Sequence, residues 1–326
     1  MIKGVMRYIL FFLLVISIKS YGQQGIQFSQ YAFTGLTVNP AYAGYKEDWT
    51  LNMVSRLQWT GIPGAPRTAA VSIDGLTDDL VKTIGLGLVI VGDQLGPQTT
   101  SSVYANYAYR LQMDAEDTKR LCFGIGIGAS QYAVDDTKFN AIDGLDPLLG
   151  TGTSTRISPD FRAGIFYNSP TFYAGLSALN FLADAAFNDN TTVIRLTRSY
   201  YLTAGYILPI NENIDWKPSI LIKEDFKGPT NMDITNSFLL GKVLWLGGSY
   251  RTGVNTVSKL ALQSNLDHYD AIAGIVQFYV NDRCRIGYSF DYNISKLATY
   301  QNGTHELSIG FSFARRRERI LSPRYF

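Results

Sequence analysis

The sequence predicts an all-β protein, a transmembrane antiparallel β-barrel of about 14 strands with both termini in the periplasm. Three observations lead to this prediction. The chain begins with an export signal, its composition is rich in aromatic residues and poor in charge, and apolar and polar residues alternate along most of its length. A period of two indicates strands, because successive side chains of a strand point to opposite faces.

The first 22 residues have the pattern of a secretory signal peptide. Lys3 and Arg7 form a basic start, residues 9–18 are an apolar run, and the small residues Ser20 and Gly22 precede the expected cut. An uncleaved anchor helix is the alternative. The apolar run at residues 9–18 is too short for an anchor helix, because a membrane-spanning helix needs about 20 apolar residues. We therefore expect an exported chain.

The composition excludes several classes of protein. The chain has 21 Tyr, 18 Phe and 30 Gly, and only 17% of its residues are charged, whereas soluble domains have about 25%. No long apolar run follows the signal, which argues against a helical membrane protein. Removing Lys3, Arg7 and Lys19 with the signal lowers the formal charge from +2 to −1. Nucleic-acid binding, which needs a concentrated basic face, is disfavoured.

The alternation is clearest near the C-terminus. In residues 305–313 one face carries Leu307, Ile309, Phe311 and Phe313, which we expect to contact lipid, and the other carries Glu, Ser and Gly. We predict strands at about 49–57, 67–73, 85–92, 101–113, 120–132, 158–167, 171–178, 199–208, 215–224, 231–240, 243–250, 271–280, 283–292 and 305–313. Their even number is typical of bacterial single-chain barrels.

The connections between these strands alternate in length. Short ones are predicted to be periplasmic turns, and longer ones such as 133–157, 179–198, 251–270 and 293–304 are predicted to be extracellular loops. The predicted organisation is a signal peptide at 1–22, a periplasmic N-terminal segment at 23–48, a barrel at 49–313 and a basic periplasmic tail at 314–326.

A row of glycines leaves one stretch of the predicted wall without side chains. Gly124, Gly126 and Gly128 share a face with Cys122. The row lacks the helix start that a phosphate-binding loop needs. Bare wall instead allows another backbone or an inserted loop to approach closely. Cys122 and Cys284 are too few for a disulfide scaffold, and a single bridge between them stays open.

The residues that could carry catalysis do not form a known pattern. His268 and His305 have no metal-binding spacing. A hydrolase would need His305 to meet a serine such as Ser289 and an orienting acid, and the pattern favours a polar strand-end residue. We predict no enzyme activity, no catalytic residue, no metal and no cofactor.

Two segments at the ends of the predicted barrel are candidates for binding a protein. Trp59 lies in a loop stiffened by Pro63 and Pro66, because proline fixes φ. This loop could bind a partner, or it could be a stiff hairpin with an interfacial tryptophan. The arginines of the tail could dock on an acidic periplasmic partner or remain solvated; they are Arg315, Arg316 and Arg317.

The long loops 133–157 and 179–198 are a third candidate. They contain apolar residues that exposure to water alone does not explain, among them Phe139, Leu148 and Phe187. These residues could pack on one another as a plug. They could also form an apolar seat for another protein, since exposed apolar patches commonly mark interaction sites.

Several segments resemble, in the right order, the PorP/SprF family of type IX secretion system outer-membrane proteins. The resemblance covers nearly all of the mature chain and is carried by Gln27-Phe28-Ser29-Gln30-Tyr31, Asn39-Pro40-Ala41-Tyr42-Ala43-Gly44, Arg56-Leu57-Gln58-Trp59, Gly64-Ala65-Pro66-Arg67-Thr68, Gly85-Leu86-Gly87, Pro159-Asp160-Phe161, Phe172-Tyr173, Gly175-Leu176-Ser177, residues 283–292, Ser295-Lys296-Leu297 and Gly303-Thr304-His305-Glu306-Leu307-Ser308. The arginine-rich extension after Phe313 departs from the usual end of a barrel and leaves the role of the tail open.

The resemblance implies an outer-membrane barrel that works with the type IX machinery. Members often accompany one large secreted or surface-attached protein, such as an adhesin in gliding bacteria, and are thought to receive or anchor its C-terminal domain. Contact with periplasmic and outer-membrane components of the system is also implied. The family has no catalytic residues to carry over.

The second hypothesis is a passive diffusion pore for small solutes. Such a pore has a water-filled lumen lined by charge, and Arg56, Arg110, Arg285, Asp291 and Glu306 could line it. The secretion hypothesis expects the lumen to be blocked or its mouth to be occupied by a protein.

Overall fold

The structure, a computed structural model, describes residues 26–78, 82–138, 152–182, 197–254 and 269–313. These residues form one antiparallel sheet. Its strands are β1 (Thr50–Leu57), β2 (Arg67–Leu76), β3 (Ile84–Leu95), β4 (Gln98–Gln112), β5 (Arg120–Asp135), β6 (Thr153–Asn168), β7 (Phe172–Leu179), β8 (Ser199–Tyr206), β9 (Leu208–Asn211), β10 (Ile214–Glu224), β11 (Thr230–Leu240), β12 (Leu244–Val254), β13 (Tyr269–Tyr279), β14 (Cys284–Asn293) and β15 (Thr304–Ser312).

The sheet closes into a barrel. Apart from β8 and β9, each strand pairs with its neighbours in the chain, and β1 also pairs with β15, where Arg56 lies opposite Glu306. β8 and β9 follow each other along the same edge of β10, so they occupy one position in the wall. The result is a closed antiparallel barrel of 14 strands, which confirms the predicted barrel and its strand number.

The break between β8 and β9 has a local cause. Ile207 turns its side chain into a buried cluster with Phe33, Leu239 and Trp245, and its N–H donates to the Thr171 carbonyl at 2.7 Å. The pairing with β10 then shifts register near Pro209. Proline cannot donate to a ladder, so it is tolerated at such an irregularity.

The predicted strands match the observed ones in order and number, but several of them are longer than predicted. β4, β5 and β6 extend beyond the predicted 101–113, 120–132 and 158–167. The added residues at 98–100 and 153–157 are mostly Thr and Ser. Their backbones pair without the apolar alternation from which the prediction was made. Residues 257–265, assigned to a loop, lie outside the described residues.

The connections divide the barrel into two ends. The turn end has the connections 77–83, 113–119, 169–171, 212–213, 241–243 and 280–283, and the loop end has 58–66, 96–97, 136–152, 180–198, 225–229, 255–268 and 294–303. At the turn end Asp114 accepts hydrogen bonds from the Thr118 hydroxyl and the backbone N–H groups of Lys119 and Thr118. These hydrogen bonds lower the pKa of Asp114 below its usual value.

The two faces of the wall differ as the alternation predicts. On β15 the predicted lipid-facing residues Leu307 and Ile309 are exposed, as is Phe313 just beyond it, while Phe311 is half-buried with its ring centroid 5.0 Å from that of Phe313. Glu306 faces the lumen and is 0% exposed. No helix of the described ranges combines the length and hydropathy needed to cross a bilayer.

Residues 26–48, which we call the lumen segment, lie inside the barrel. They form a 3₁₀ turn at Tyr31–Phe33, an α-helical turn at Gly35–Val38 and a second 3₁₀ turn at Pro40–Tyr42. The Asn39 side chain caps the last turn by accepting the Ala41 N–H at 2.9 Å. The segment was predicted to be periplasmic at 23–48. Its described part lies in the lumen instead, because its apolar side chains are buried against the wall.

The two ends of the described chain lie at opposite ends of the barrel. Gln27 contacts Asn231 and Asp233 near the start of β11, at the loop end. The segment then runs to the turn end, where it joins β1, and β15 also finishes there. Within the described residues the chain therefore enters the lumen from the loop end.

We expect Ile309→Arg to lower the free energy of unfolding by about 2–4 kcal/mol, because it places a charge on the lipid face near mid-membrane. The matched variant Phe313→Arg, at the rim, should cost only about 0–1 kcal/mol. Equilibrium unfolding by guanidinium chloride from lipid vesicles measures both. Equal costs at the two positions would contradict the assigned depth.

Candidate functional site

The loop end of the lumen contains a buried group of charges, the loop-end cluster, formed by Arg56, Asp233, Arg251, Asp291 and Glu306. Arg56 bridges two acids, with Nη2 at 2.8 Å from Asp291 Oδ2 and Nη1 at 3.0 Å from Glu306 Oε2. Arg251 Nε donates to Asp233 Oδ1 at 2.8 Å. Buried charges are tolerated when they are paired and hydrogen-bonded, and all five are.

The lumen segment completes the hydrogen bonding of this cluster. The Glu306 carboxylate accepts the backbone N–H of Ser29 and that of Gln30, both at 2.9 Å. The Ser29 hydroxyl donates to Asp291 Oδ2 at 2.6 Å and accepts from Arg56 at 2.9 Å. Hydrogen bonds to ionised groups are stronger than neutral ones, so these contacts hold the segment firmly.

Two glutamines of the segment are bound on either side of Ser29. Gln27 Nε2 donates to Asn231 Oδ1 at 2.7 Å and to Asp233 Oδ2 at 2.8 Å. The Gln30 side-chain oxygen accepts from Ser308 at 2.7 Å and from Gln277 at 3.1 Å. The wall thus contacts side chains as well as backbone along residues 27–30.

Farther along, the segment rests on glycines of the wall. A Cβ placed on Gly124 would lie 2.1 Å from the Ala41 nitrogen, and one on Gly85 would lie 2.0 Å from the Ala43 oxygen. Gly44, at φ +73°, completes the turn and donates its N–H to Asp74 Oδ2 at 3.0 Å. The close approach of another backbone that the glycine row predicts is confirmed at Gly124.

Apolar side chains of the segment fill the space between these contacts. Leu36, Tyr42 and Tyr45 pack against Phe166 and Tyr173 of the wall. A cavity of about 20 Å³ remains between the segment and the wall. That volume holds about one water molecule and no larger ligand.

Cations of the wall contact an aromatic ring of the segment. The Arg285 guanidinium lies 4.4 Å from the centroid of the Phe33 ring, and the Lys217 ammonium lies 5.2 Å from it. An aromatic face attracts cations electrostatically, and the attraction is greater where water is excluded. The ring therefore helps to accommodate two buried charges of the lumen.

The charges predicted to line a pore do face the lumen. Arg56, Arg110, Arg285, Asp291 and Glu306 are all buried on the inner side of the wall. They do not border an open aqueous channel, because the lumen segment occupies the part of the lumen that they face. The arrangement is a barrel closed from within by its own chain.

The Trp59 loop is fixed at the loop end. The Trp59 N–H donates to Thr304 Oγ1 at 3.1 Å, and Thr60 exchanges two backbone hydrogen bonds with Gly303 and Asn302, at 2.9 and 2.7 Å. Trp59 itself has φ +51°, which is unusual for a bulky residue. The loop is therefore fixed by hydrogen bonds to residues 302–304 as well as by its prolines.

The other predicted partner-binding residues lie outside the described residues. These are Phe139, Leu148, Phe187, Arg315, Arg316 and Arg317. Near one of the long loops, Phe181 stacks on Phe161 of β6 with ring centroids 4.4 Å apart. Of the predicted partner-binding residues, only Trp59 lies in the part of the chain that the structure describes.

Ser289 and His305 do not meet as the pair that a serine hydrolase would need. Ser289 faces the lumen, whereas the His305 ring contacts Tyr288 on the opposite face, with Nδ1 2.7 Å from the tyrosine hydroxyl. Cys122 and Cys284 are not bridged to each other. Within the described ranges no three His, Cys, Asp or Glu side chains are placed to hold a metal ion.

The sequence reasoning missed the lumen segment as part of the site. Two signals pointed to it. The glycine row left room for a second backbone, and the segment combines apolar residues with the polar residues Gln27, Ser29 and Gln30. Neither signal shows which part of the chain it will contact, because the contacting residues are up to 278 positions apart.

A closed antiparallel barrel with an apolar outer face defines this chain as an outer-membrane β-barrel protein. It belongs to the family described as type IX secretion system membrane protein PorP/SprF, whose sequence model matches residues 20–311. The resemblance inferred from the motifs is thereby confirmed.

Solved structures of low sequence identity resemble the chain. The Acinetobacter baumannii outer membrane protein Omp33 has 10% identity and a TM-score of 0.44, with 82% of this chain and 98% of that one covered. The CymD monoaromatic hydrocarbon channel has 11% identity and a TM-score of 0.49, with 87% and 93% covered. No curated protein matches the sequence.

We expect Gly124→Ala to lower the free energy of unfolding by about 1–3 kcal/mol, because the new methyl group would overlap the Ala41 backbone. Gly274→Ala is the matched control, since a Cβ there meets nothing within 4 Å. Denaturant unfolding measures both. A cost at Gly274 as large as that at Gly124 would mean that the lumen contact is not the cause.

Proposed function

We propose that this chain is a non-enzymatic outer-membrane component of the type IX secretion system that binds or anchors an exported or surface protein through the C-terminal domain of that protein. The family membership over residues 20–311 is the observation that carries the proposal. It supports a role with other secretion components. An adhesin of a gliding bacterium is one such exported protein.

The blocked lumen also supports a secretion role over a pore. A diffusion pore needs a continuous water-filled path, and here the lumen segment is bound along the wall from Gln27 to Gly44. A protein that holds a partner needs no such path. Its rims are then the surfaces on which a partner can bind, because lipid occupies the outer wall.

The proposal includes the topology of the chain. We propose that the signal peptide is cleaved after Gly22 and that the turn end faces the periplasm. The tail with Arg315, Arg316 and Arg317 would then follow β15 into the periplasm, where it could contact acidic surfaces of the secretion machinery. The fixed Trp59 loop would be exposed outside the cell, and its strained backbone supports a binding role, because strain is concentrated at functional sites.

The first experiment separates secretion from diffusion. We expect the purified full-length protein to show no stable open-channel conductance in planar bilayers, because its own segment blocks the lumen. Deletion of the gene should impair secretion or surface retention of a partner. Stable open-channel conductance together with unchanged secretion after deletion would favour the passive pore.

The second experiment tests the extracellular seat. We expect Phe139→Asp, Leu148→Asp and Phe187→Asp to impair surface retention of the partner and leave barrel insertion intact, because a charge opposes binding of an apolar surface. Asn190→Asp adds the same charge to one of these loops without removing an apolar side chain, and it should be without effect. Co-purification with mass spectrometry identifies the partner and measures its retention.

Two results would contradict the seat. The apolar variants would retain the partner normally, and crosslinks would map to residues 315–326 or 23–48 instead. Replacing Arg315, Arg316 and Arg317 by alanine tests the periplasmic contact separately, by co-purification of other type IX components.

A further inference from the structure

The lipid-facing side of the wall has a place at mid-height where large apolar side chains are missing. Asn236, Gly248 and Gly274 lie opposite one another on β11, β12 and β13, so they form one row across three neighbouring strands. All three are exposed on the outer face. We call this row the outer patch. Apolar side chains exposed on the same face surround it; they are Ile234, Phe238, Leu246, Ile272 and Val276.

Asn236 places a polar group within this apolar face. Its outward neighbours along β11 are Ile234 and Phe238, which are both exposed. Asn236 Oδ1 accepts the indole N–H of Trp216 at 3.2 Å. Among the described residues the Asn236 amide nitrogen donates no hydrogen bond, so its N–H groups face the hydrocarbon. Hydrocarbon contains no acceptor, and a polar group that stays there without a partner is costly.

The two glycines of the outer patch are not required by the packing of the barrel itself. A Cβ on Gly274 would meet nothing within 4 Å, and one on Gly248 would meet only the Ala273 carbonyl oxygen, at 3.6 Å. Neither glycine has a positive φ. The inward Gly287 differs, because a Cβ there would lie 2.3 Å from Gln30 Oε1. Glycine weakens the interior of a strand, so a close approach from outside the barrel is the reason that remains for Gly248 and Gly274.

We propose that the outer patch is the interface through which two copies of this chain associate side by side in the membrane. A two-fold axis along the membrane normal relates the copies, and their Asn236 side chains are hydrogen-bonded to each other near that axis. The inference rests on the membrane-barrel fold and does not depend on the proposed secretion role.

A second copy fits the outer patch because the patch is complementary to itself. Copies of one barrel have the same orientation in the membrane, so a two-fold axis between them runs along the membrane normal. A residue near that axis then meets its own counterpart at the same depth. Asparagine suits this position, since its carboxamide contains both a donor and an acceptor. The Asn236 Nδ2 of each copy can donate to Oδ1 of the other copy, because a carbonyl oxygen accepts a second hydrogen bond besides that from Trp216.

The glycines allow the two walls to come close enough for that contact. Around them, side chains such as Leu246 and Ile272 project from the wall, whereas Gly248 and Gly274 present only backbone. Small residues have the same effect between transmembrane helices, where they let backbones approach and polar side chains form hydrogen bonds across the interface. The loop ends of the two copies then lie side by side, and the rims of both stay free for other partners.

Sedimentation equilibrium of the full-length protein in density-matched detergent micelles measures the dissociation constant of the pair. We expect Asn236→Leu to raise this constant by about tenfold or more, because the hydrogen bonds between the copies are lost. Gly248→Leu should also raise it, because the new side chain would hold the walls apart, whereas alanine would add only one methyl group. Ala105→Leu is the matched control and should leave the constant unchanged, since Ala105 is exposed on β4, on the opposite side of the barrel.

None of these variants should unfold the barrel, because each adds an apolar side chain to a face that contacts lipid. Their unfolding transitions in guanidinium chloride, compared with that of the unaltered protein, check this expectation.

A photoreactive benzophenone amino acid identifies what covers the outer patch in an intact outer membrane. At position Leu246, beside Gly248, we expect a crosslinked product of double the chain mass that contains peptides of this chain alone. Val103 is the matched control, since it is also exposed and lies beside Ala105 on the opposite side of the barrel. No such product is expected there.

Several results would overturn the proposal. The full-length protein would sediment as a monomer, or Asn236→Leu and Gly248→Leu would leave the dissociation constant unchanged, or Ala105→Leu would raise it as much as they do. A crosslink from position 246 to a different protein, or to lipid alone, would also contradict it, because another molecule would then occupy the outer patch. If one variant fails to fold, the other variant and the crosslink decide between these outcomes.

Discussion

The contact between Glu306 and the lumen segment links the closure of the barrel to the filling of its lumen. Glu306 lies opposite Arg56 in the pair of strands that closes the sheet, and the two side chains are 3.0 Å apart. The same carboxylate accepts two N–H groups of the lumen segment. Because the segment leads directly into β1, its seating and the closing pair of strands stabilise each other.

The inner wall and the lumen segment have complementary chemistry. Inward positions of the wall carry charges, hydroxyls and glycines, as in a barrel whose interior is wet. The segment supplies much of the apolar surface inside, through residues such as Leu36 and Tyr42. Where the wall has glycine, the segment places its backbone, and where the wall has charge, the segment places N–H groups and polar side chains. The interior therefore combines these polar and backbone contacts with apolar packing against wall residues such as Phe166 and Trp245.

This chemistry constrains what the barrel can do. A lumen filled by the protein's own chain leaves the two rims for contact with partners, and a partner at the loop end would contact the segment where it is held by polar groups. The Trp59 loop lies at the same end and is fixed to the connection 294–303. Both features lie at the end that the long connections share.

The sequence alone was sufficient to predict the barrel, but it was not sufficient to predict that residues 26–48 fill the lumen. The strands could be predicted because lipid on one side imposes a period of two, which local sequence shows in stretches such as 305–313. The limits of β4, β5 and β6 were missed because their polar ends pair through the backbone without that period. The lumen segment was placed outside the barrel, although Gly124 showed that a second backbone approaches the wall. Which backbone fills that space depends on contacts such as Gln30 with Ser308, and no local pattern encodes a contact between residues so far apart in the chain.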